Sequence, residues 1–263
     1  MVTELTKLLE QNLLLVVLVL TRLSTLLMSL PAIGVGVPAK IRALLALTLT
    51  LLTVPAVAAI DPNYAPQAAH LIDLSIMIAR EALVGLLIGA TIQILITGVQ
   101  TAGEIMSGTG GLQLGDSVDP STRSTMPTLA QLVGLLVVAT LVTMGGHRFI
   151  ISSLIDSFVA LPAGDVSFHQ PMMELLVTQL SSSLSTGIRV AAPVIAAMLL
   201  CNLITGLISR TLPQLNVLAI GLSLNAIALL AVATLTIGSA SYLFRDDFAI
   251  TLDRLATLWS VDR

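Results

Sequence analysis

Few side chains in this sequence could do chemistry, and their spacing excludes most of what they could do. His70, His147 and His169 stand far apart, each beside a turn, which predicts helix-end or interfacial residues rather than a ligand set. No H-E-x-x-H or G-x-S-x-G occurs, and no His/Asp/Glu cluster has metal-ligand spacing. Gly110-Gly-Leu-Gln-Leu-Gly115-Asp116-Ser117 has the glycine spacing of a phosphate-binding loop, but Asp116 stands in the lysine position. A carboxylate there repels phosphate, and a helical segment precedes it where a strand is needed, so nucleotide binding is excluded. Cys201 is the single cysteine, sits in an apolar run and reads as a packed core thiol. Arg80, Glu81, Glu104, Asp156 and Arg189 could line an ion path. None belongs to a repeated acidic or histidine relay, so pairing at helix junctions or subunit contacts is expected. The sequence therefore predicts no enzyme, no cofactor and no metal site.

What remains is a stretch whose backbone, not its side chains, is informative. Gly103–Thr125 is glycine-rich, contains Pro120 and lies between two strongly apolar segments. It reads as a non-helical loop of about 20 residues, longer than an ordinary connection and of the length that carries function. Irregular backbone at membrane depth is tolerated only where it packs in protein or lines a water-filled cavity. Glu104 begins the loop; Gly108, Gly110, Gly111 and Gly115 allow close backbone approach. Ile105, Met106, Leu112, Leu114 and Val118 could form an apolar constriction that stops ions by dewetting, and Asp119-Pro120 would end it in a rigid turn.

The elements that must hold such a loop are membrane helices. Hydrophobic residues make up 56% of the 263 and charged residues 10%, against about 25% charged in soluble domains. Mean hydropathy is +0.99. Ala43–Ile60, Ala82–Gly103, Ser124–His147, Val190–Ser209 and Thr211–Phe244 each approach or exceed the ~18–20 residues that cross a bilayer core. A net charge of −3 offers no footprint for nucleic acid. With one Trp and two Tyr, the interfacial aromatic belts are missing, which suggests helices that mostly contact protein. Met1–Leu30 lacks a cleavage site close behind its apolar stretch and is expected to remain as the first helix.

Pro31–Pro38 is a Pro/Gly turn, put in the cytoplasm by Lys40 and Arg42, and Asp61-Pro62-Asn63 is another. Ala69–Gly103 reads as one long helix, with Gly85-Leu-Leu-Ile-Gly89 permitting close helix contact. Pro127–Met144 is the next. In Arg148–Leu161, Ile151, Leu154, Ile155, Phe158 and Val159 share one face, with Ser152, Ser153, Asp156 and Ser157 opposite. Pro171 opens a helix with apolar positions Met173, Leu176, Val177, Leu180, Leu184 and Ile188 and a hydroxyl-rich face of Ser181, Ser182, Ser183, Ser185 and Thr186. Gly187 and Pro193 should bend it. Thr211–Phe244 reads as a helical hairpin turning near Gly221–Asn225, and 245–263 as an amphipathic helix with Phe248, Leu252, Leu255 and Trp259 on one face.

Three stretches together resemble the FliR/SctT family, the R-type membrane subunit of the flagellar and type III secretion export gate. They are Ala102-Gly-Glu-Ile with the Gly-rich loop and Asp119-Pro120; Gly146-His147 leading to Ser157-Phe158 and Pro162; and Gly206-Leu-Ile-Ser-Arg210-Thr-Leu-Pro213-Gln214-Leu-Asn216-Val217 followed by Gly221. Their order and spacing fit nearly the whole chain. Leu218, Ser223 and Asn225 depart from the family, which usually has Phe, Pro and a basic residue there. The Asp119-Pro120 pair looks more like flagellar than injectisome members.

The resemblance implies an all-α membrane protein, a bundle of long, kinked and re-entrant helices with hairpins and one Gly-rich lumenal loop, assembled in a hetero-oligomeric ring. Residues 1–210 would be P-subunit-like, with the channel plug at 104–125, and 211–244 a Q-subunit-like hairpin. Arg210 and Asn216 would hold the last helix junction, Arg210 by bonding free carbonyls at a helix C-terminus, with Pro213 and Gln214 as motif residues between them. Implied partners are the P- and Q-type subunits (FliP, FliQ), the B- and A-type subunits (FlhB, FlhA), unfolded flagellar export substrates and lipid of the bacterial inner membrane. The alternatives are an injectisome R subunit and a small-solute secondary transporter; the latter should show interrupted helices in two repeats, and no such symmetry is visible.

Overall fold

The computed structural model describes residues 13–30, 37–60, 70–110, 127–166, 170–211 and 217–260, and the description below is confined to them. The architecture is all-α: α1 (Leu13–Ser29), α2 (Ala39–Ile60), α3 (Leu71–Thr109), α4 (Thr128–Thr143), α5 (Gly146–Ala160), α6 (Gln170–Thr211) and α7 (Val217–Ser260). By length and composition α2, α3 and α6 can each cross a membrane. At 39 residues α3 is about 58 Å long at 1.5 Å per residue, nearly twice the ~30 Å hydrocarbon core.

The chain divides into two compact units. The first draws on residues 1–93, 145–179 and 250–263. Here α1 buries Leu15, Leu18, Val19, Leu23, Leu26 and Leu27, packs along α2, and α2 touches α5. Thr21, Ser24, Thr25 and Ser29 keep α1 apolar in effect, because each hydroxyl donates to a carbonyl three or four residues back. The Gly85 and Gly89 pair does what its spacing predicts. A Cβ on Gly85 would collide with the Arg22 carbonyl and Thr25 Oγ1, and one on Gly89 with Ser29 Oγ, so α1 and α3 approach at backbone distance.

The second unit draws on residues 94–144 and 180–249. Ala102, Met106, Val190, Ala191, Val194, Met198, Leu229 and Ala240 form its core. Gly98 and Gly187 meet face to face, since a Cβ on Gly187 would strike the Gly98 carbonyl. Ser183 Oγ donates to the Ile94 carbonyl at 2.5 Å beside them. Gly187 therefore serves close packing of two helices within α6, which continues through both Gly187 and Pro193.

Three expectations are corrected. Residues 103–109 are helical, so the loop expected from Gly103 does not begin there. Gly103 and Gly108 both lie in the helix, and at Gly103 packing outweighs the ~1 kcal/mol that glycine costs there. Gly103 lies against Ala130, where a Cβ would fall 2.6 Å from the Ala130 Cα. Gly221–Asn225 is likewise not a turn but part of α7. In this unit α6 and α7 run antiparallel: Asn225 Nδ2 donates to Asn202 Oδ1 at 2.8 Å, and Thr186 Oγ1 donates to Asp247. The arms that pair here are α6 and α7, and the tail continues α7 beyond a 44° bend between Ser223–Thr236 and Gly238–Trp259. Third, Ser153 and Ser157 point inward on α5, and Ser183 and Thr186 inward on α6, while Ile151, Val159, Leu180, Leu184 and Ile188 are exposed. Where apolar surface is free to face lipid or partners, inter-helix hydrogen bonds draw the hydroxyls inside.

Candidate functional site

The expected plug is framed in the second unit by the end of α3 and the start of α4. Met106 is buried in the core, Glu104 and Ile105 are half-buried, and Gly108 is exposed, all within α3. The helix closes where Gly110 N donates to the Met106 carbonyl at 3.0 Å. Gly110 is itself buried against Leu229 of α7, 3.0 Å from where its Cβ would be. At the other root Pro127 precedes α4, and its carbonyl accepts from Gln131 N at 3.1 Å. Gly103 on Ala130 and Gly134 on Gln100 draw α3 and α4 together. Beside these roots lies an apolar cavity of about 300 Å³ lined by Met106, Leu129, Val133, Val190, Leu230 and Ala240 among others. Gly111, Leu112, Leu114, Gly115, Val118, Asp119 and Pro120 lie outside the described residues, as do Pro213, Gln214 and Asn216.

The second motif stretch converges on a group that its spacing does not reveal. In the first unit Arg22 of α1 and Glu81 of α3 are both fully buried and form an ion pair, Nε to Oε2, at 2.6 Å. Each terminal nitrogen of the guanidinium also donates, to α5 and the segment behind it: Nη1 to Ser157 Oγ at 3.0 Å and Nη2 to the Leu161 carbonyl at 3.1 Å. The other carboxylate oxygen accepts from Gly164 N at 2.8 Å. Gly164 has φ +94°, a left-handed conformation that favours glycine. The ring of Phe158 covers the guanidinium, 3.9 Å from its carbon to the centroid. Ser157 and Phe158 are thus a receptor for Arg22, and the exposed Pro162 follows directly, its carbonyl accepting from Asp165 N. Glu81 is a paired charge, as expected, but it sits within α3 rather than at a helix junction.

Arg22 carries little signal in the sequence. Its only sequence signal is a lone cation inside an apolar run, and nothing local names a carboxylate 59 positions away. Of the other motif residues, Gly146 is buried in the first turn of α5 behind Gly145, which turns the chain at φ +76°. His147 is exposed, and Gly221 is buried against Thr205. Arg210 is exposed in the last turn of α6, where its charge suits the helix dipole; it makes no hydrogen bond among the described residues. No group of three or more potential metal ligands occurs among the described residues.

The model of the family described as bacterial export proteins, family 1, matches residues 13–250. The flagellar biosynthetic protein FliR of Escherichia coli K12 is 31% identical over 228 residues, covering 85% of each chain. FliR of Caulobacter vibrioides is 28% identical over 237 residues, 90% of this chain and 93% of its own. FliR of Bacillus subtilis is 24% identical over 183 residues, 68% and 70% respectively. The matched span takes in both frames just described, the Arg22 cage and the roots of the 111–126 segment. This chain belongs to the bacterial export protein family of the flagellar FliR proteins.

Proposed function

We propose that the protein is the R-type subunit of the flagellar protein export gate in the bacterial inner membrane, where it contributes to a channel for unfolded export substrates. The observation that carries this reading is the family match along residues 13–250 with near-complete coverage of flagellar relatives. Its companions would be P- and Q-type subunits (FliP, FliQ), with B- and A-type subunits (FlhB, FlhA) alongside. The outward-facing Leu180, Leu184 and Ile188 supply apolar surface for such contacts. The work of this subunit is passage, not catalysis.

Within this reading the plug is the segment after Gly110, and it seals the lumen until a substrate segment displaces it. Ile105 and Met106 serve at its root rather than in its tip, since both belong to α3. The family's division into P-like and Q-like parts is retained, with the Q-like hairpin drawn from the arms on either side of 212–216 rather than from 211–244.

The direct test is flagellin in the medium of a strain lacking this gene. Secretion lost, and restored by the wild-type gene, is expected; normal secretion would return the injectisome or solute-transport readings. Deleting residues 111–115 should leave assembly intact and make the membrane leak ions. Unchanged conductance of a fully assembled complex would remove the plug from the proposal.

A further inference from the structure

A half-enclosed cavity of about 150 Å³ lies in the first unit where α1, α2 and α5 meet. Leu26 and Leu30 of α1, Leu45 and Leu49 of α2, and Ile150 and Leu154 of α5 line it. Thr53 also borders it, but its hydroxyl donates to the Leu49 and Thr50 carbonyls, so the walls are apolar throughout. Cavities of about this size with such walls stay dry and take up apolar groups.

One end of the cavity is basic. Lys40 and Arg42 occupy the first turn of α2, and His147 and Arg148 the first turn of α5. Both turns lie toward the Leu30 end of α1. The short connection from Ser29 to Ala39 makes α1 and α2 antiparallel neighbours. Arg22 bonds Ser157 and Leu161 at the far end of α5, which leaves the start of α5 toward Leu30. His147, which itself borders the cavity, is exposed, as are Lys40 and Arg148, and Arg42 is half-buried. No carboxylate occurs on α1, on α2 or in the first two turns of α5.

These features restrict the occupant. The cavity is too small for a helix, which is about 10–12 Å across with its side chains, and its walls offer nothing to a polar ligand. An acyl chain meets both limits. The basic end selects the headgroup, because a phosphate finds cations there, whereas the ammonium of a zwitterionic lipid would find no carboxylate on those segments. We infer that the cavity holds one acyl chain of an anionic phospholipid, whose phosphate rests on the cations at the starts of α2 and α5. Basic pockets between membrane helices bind anionic headgroups in this way. Lys40, Arg42 and Arg148 supply the charge, and His147 a hydrogen bond at the mouth. The inference goes beyond the export-gate reading and needs only that α2 spans a bilayer with its first turn at the surface.

The test titrates phosphatidylglycerol into the full chain, purified in detergent with its companion subunits, and reads occupancy by native mass spectrometry. Half-occupancy is expected well below the concentration that phosphatidylethanolamine with the same acyl chains requires. Lys40→Gln with Arg148→Gln, both at exposed positions, should raise that concentration about thirtyfold, the worth of two cations near a membrane surface. That loss would also assign the adduct to this chain. Leu49→Phe fills the cavity, keeps every cation and should remove the tight adduct. Glycerol phosphate, the headgroup without its chains, should not compete. Equal retention of the two lipids would overturn the inference, as would a charge variant that binds like wild type or a filled cavity that still does. Competition by glycerol phosphate would overturn it too, since the anion would then bind without a chain. The charge variant decides even if Leu49→Phe does not assemble. Flagellin secretion in the deletion strain judges the gate reading separately, and neither result alters the other.

Discussion

At the scale of single residues, the Arg22–Glu81 pair is the costliest arrangement in the described chain and the most exposed to mutation. Removing one partner leaves a buried charge unpaired, which costs about 3–5 kcal/mol, whereas removing both costs much less. Arg22→Leu should therefore lower unfolding stability in detergent by that order, and Arg22→Leu with Glu81→Leu should recover most of it. Equal losses in the single and double variants would mean that the pair acts only through its packing. Ser157 and Gly164 add hydrogen bonds and Phe158 shields the guanidinium, so each nitrogen of the guanidinium and each oxygen of the carboxylate has a partner. Trp259 gives a milder case. Its Nε1 donates to the buried Ser153 Oγ at 3.1 Å, and Trp259→Phe should cost about 1 kcal/mol by thermal melting. No measurable change would assign Trp259 to packing alone.

At the scale of elements, close contacts between helices matter more than periodicity. Gly187 against Gly98 admits no side chain, so Gly187→Leu should separate the two helices and cost at least 2–3 kcal/mol, as overpacking of a filled core does. The check is the melting temperature of purified protein together with recovery of companion subunits on an affinity tag; wild-type values for both would refute the contact. The sequence made much of this level legible. Long apolar runs located α2, α3, α4 and α6, Pro171 marked the start of α6, and Gly85 and Gly89 named a helix contact before its partner was known. Polarity left one point open. Periodicity set Ser153, Ser157, Ser183 and Thr186 on hydroxyl-rich faces without saying which way those faces point, and this chain turns the four hydroxyls inward to Trp259, Arg22, the Ile94 carbonyl and Asp247. Glycine misled outright, since Gly103, Gly108 and Gly221 suggested irregular backbone, yet all three lie in helices, and Gly103 and Gly221 thin theirs for a neighbour. Arg22 was illegible because its partners come from three distant segments. The motif residues 111–120 and 213–216, which carried much of the resemblance, lie outside the described residues and keep their roles as proposals.

At the scale of the whole molecule, three helices long and apolar enough to span a bilayer predict an integral protein. It should stay in the membrane pellet through carbonate at high pH and enter solution only with detergent; release by carbonate would contradict the reading of α2, α3 and α6. The buried ion pair has a further consequence, for synthesis. Arg22 is made 59 residues ahead of Glu81, so a growing chain carries an uncompensated cation in its first apolar helix until α3 has been translated. An arginine at the centre of a lone helix costs roughly 2.5–3.5 kcal/mol during insertion from the translocon. That cost offsets much of what the leucines and valines of α1 gain on insertion, so the first helix should be held less firmly until the third arrives. A ribosome stalled before residue 81 should leave α1 more easily extracted than one stalled past the end of α3. Early integration would show instead that α1 finds another counter-charge on its way in.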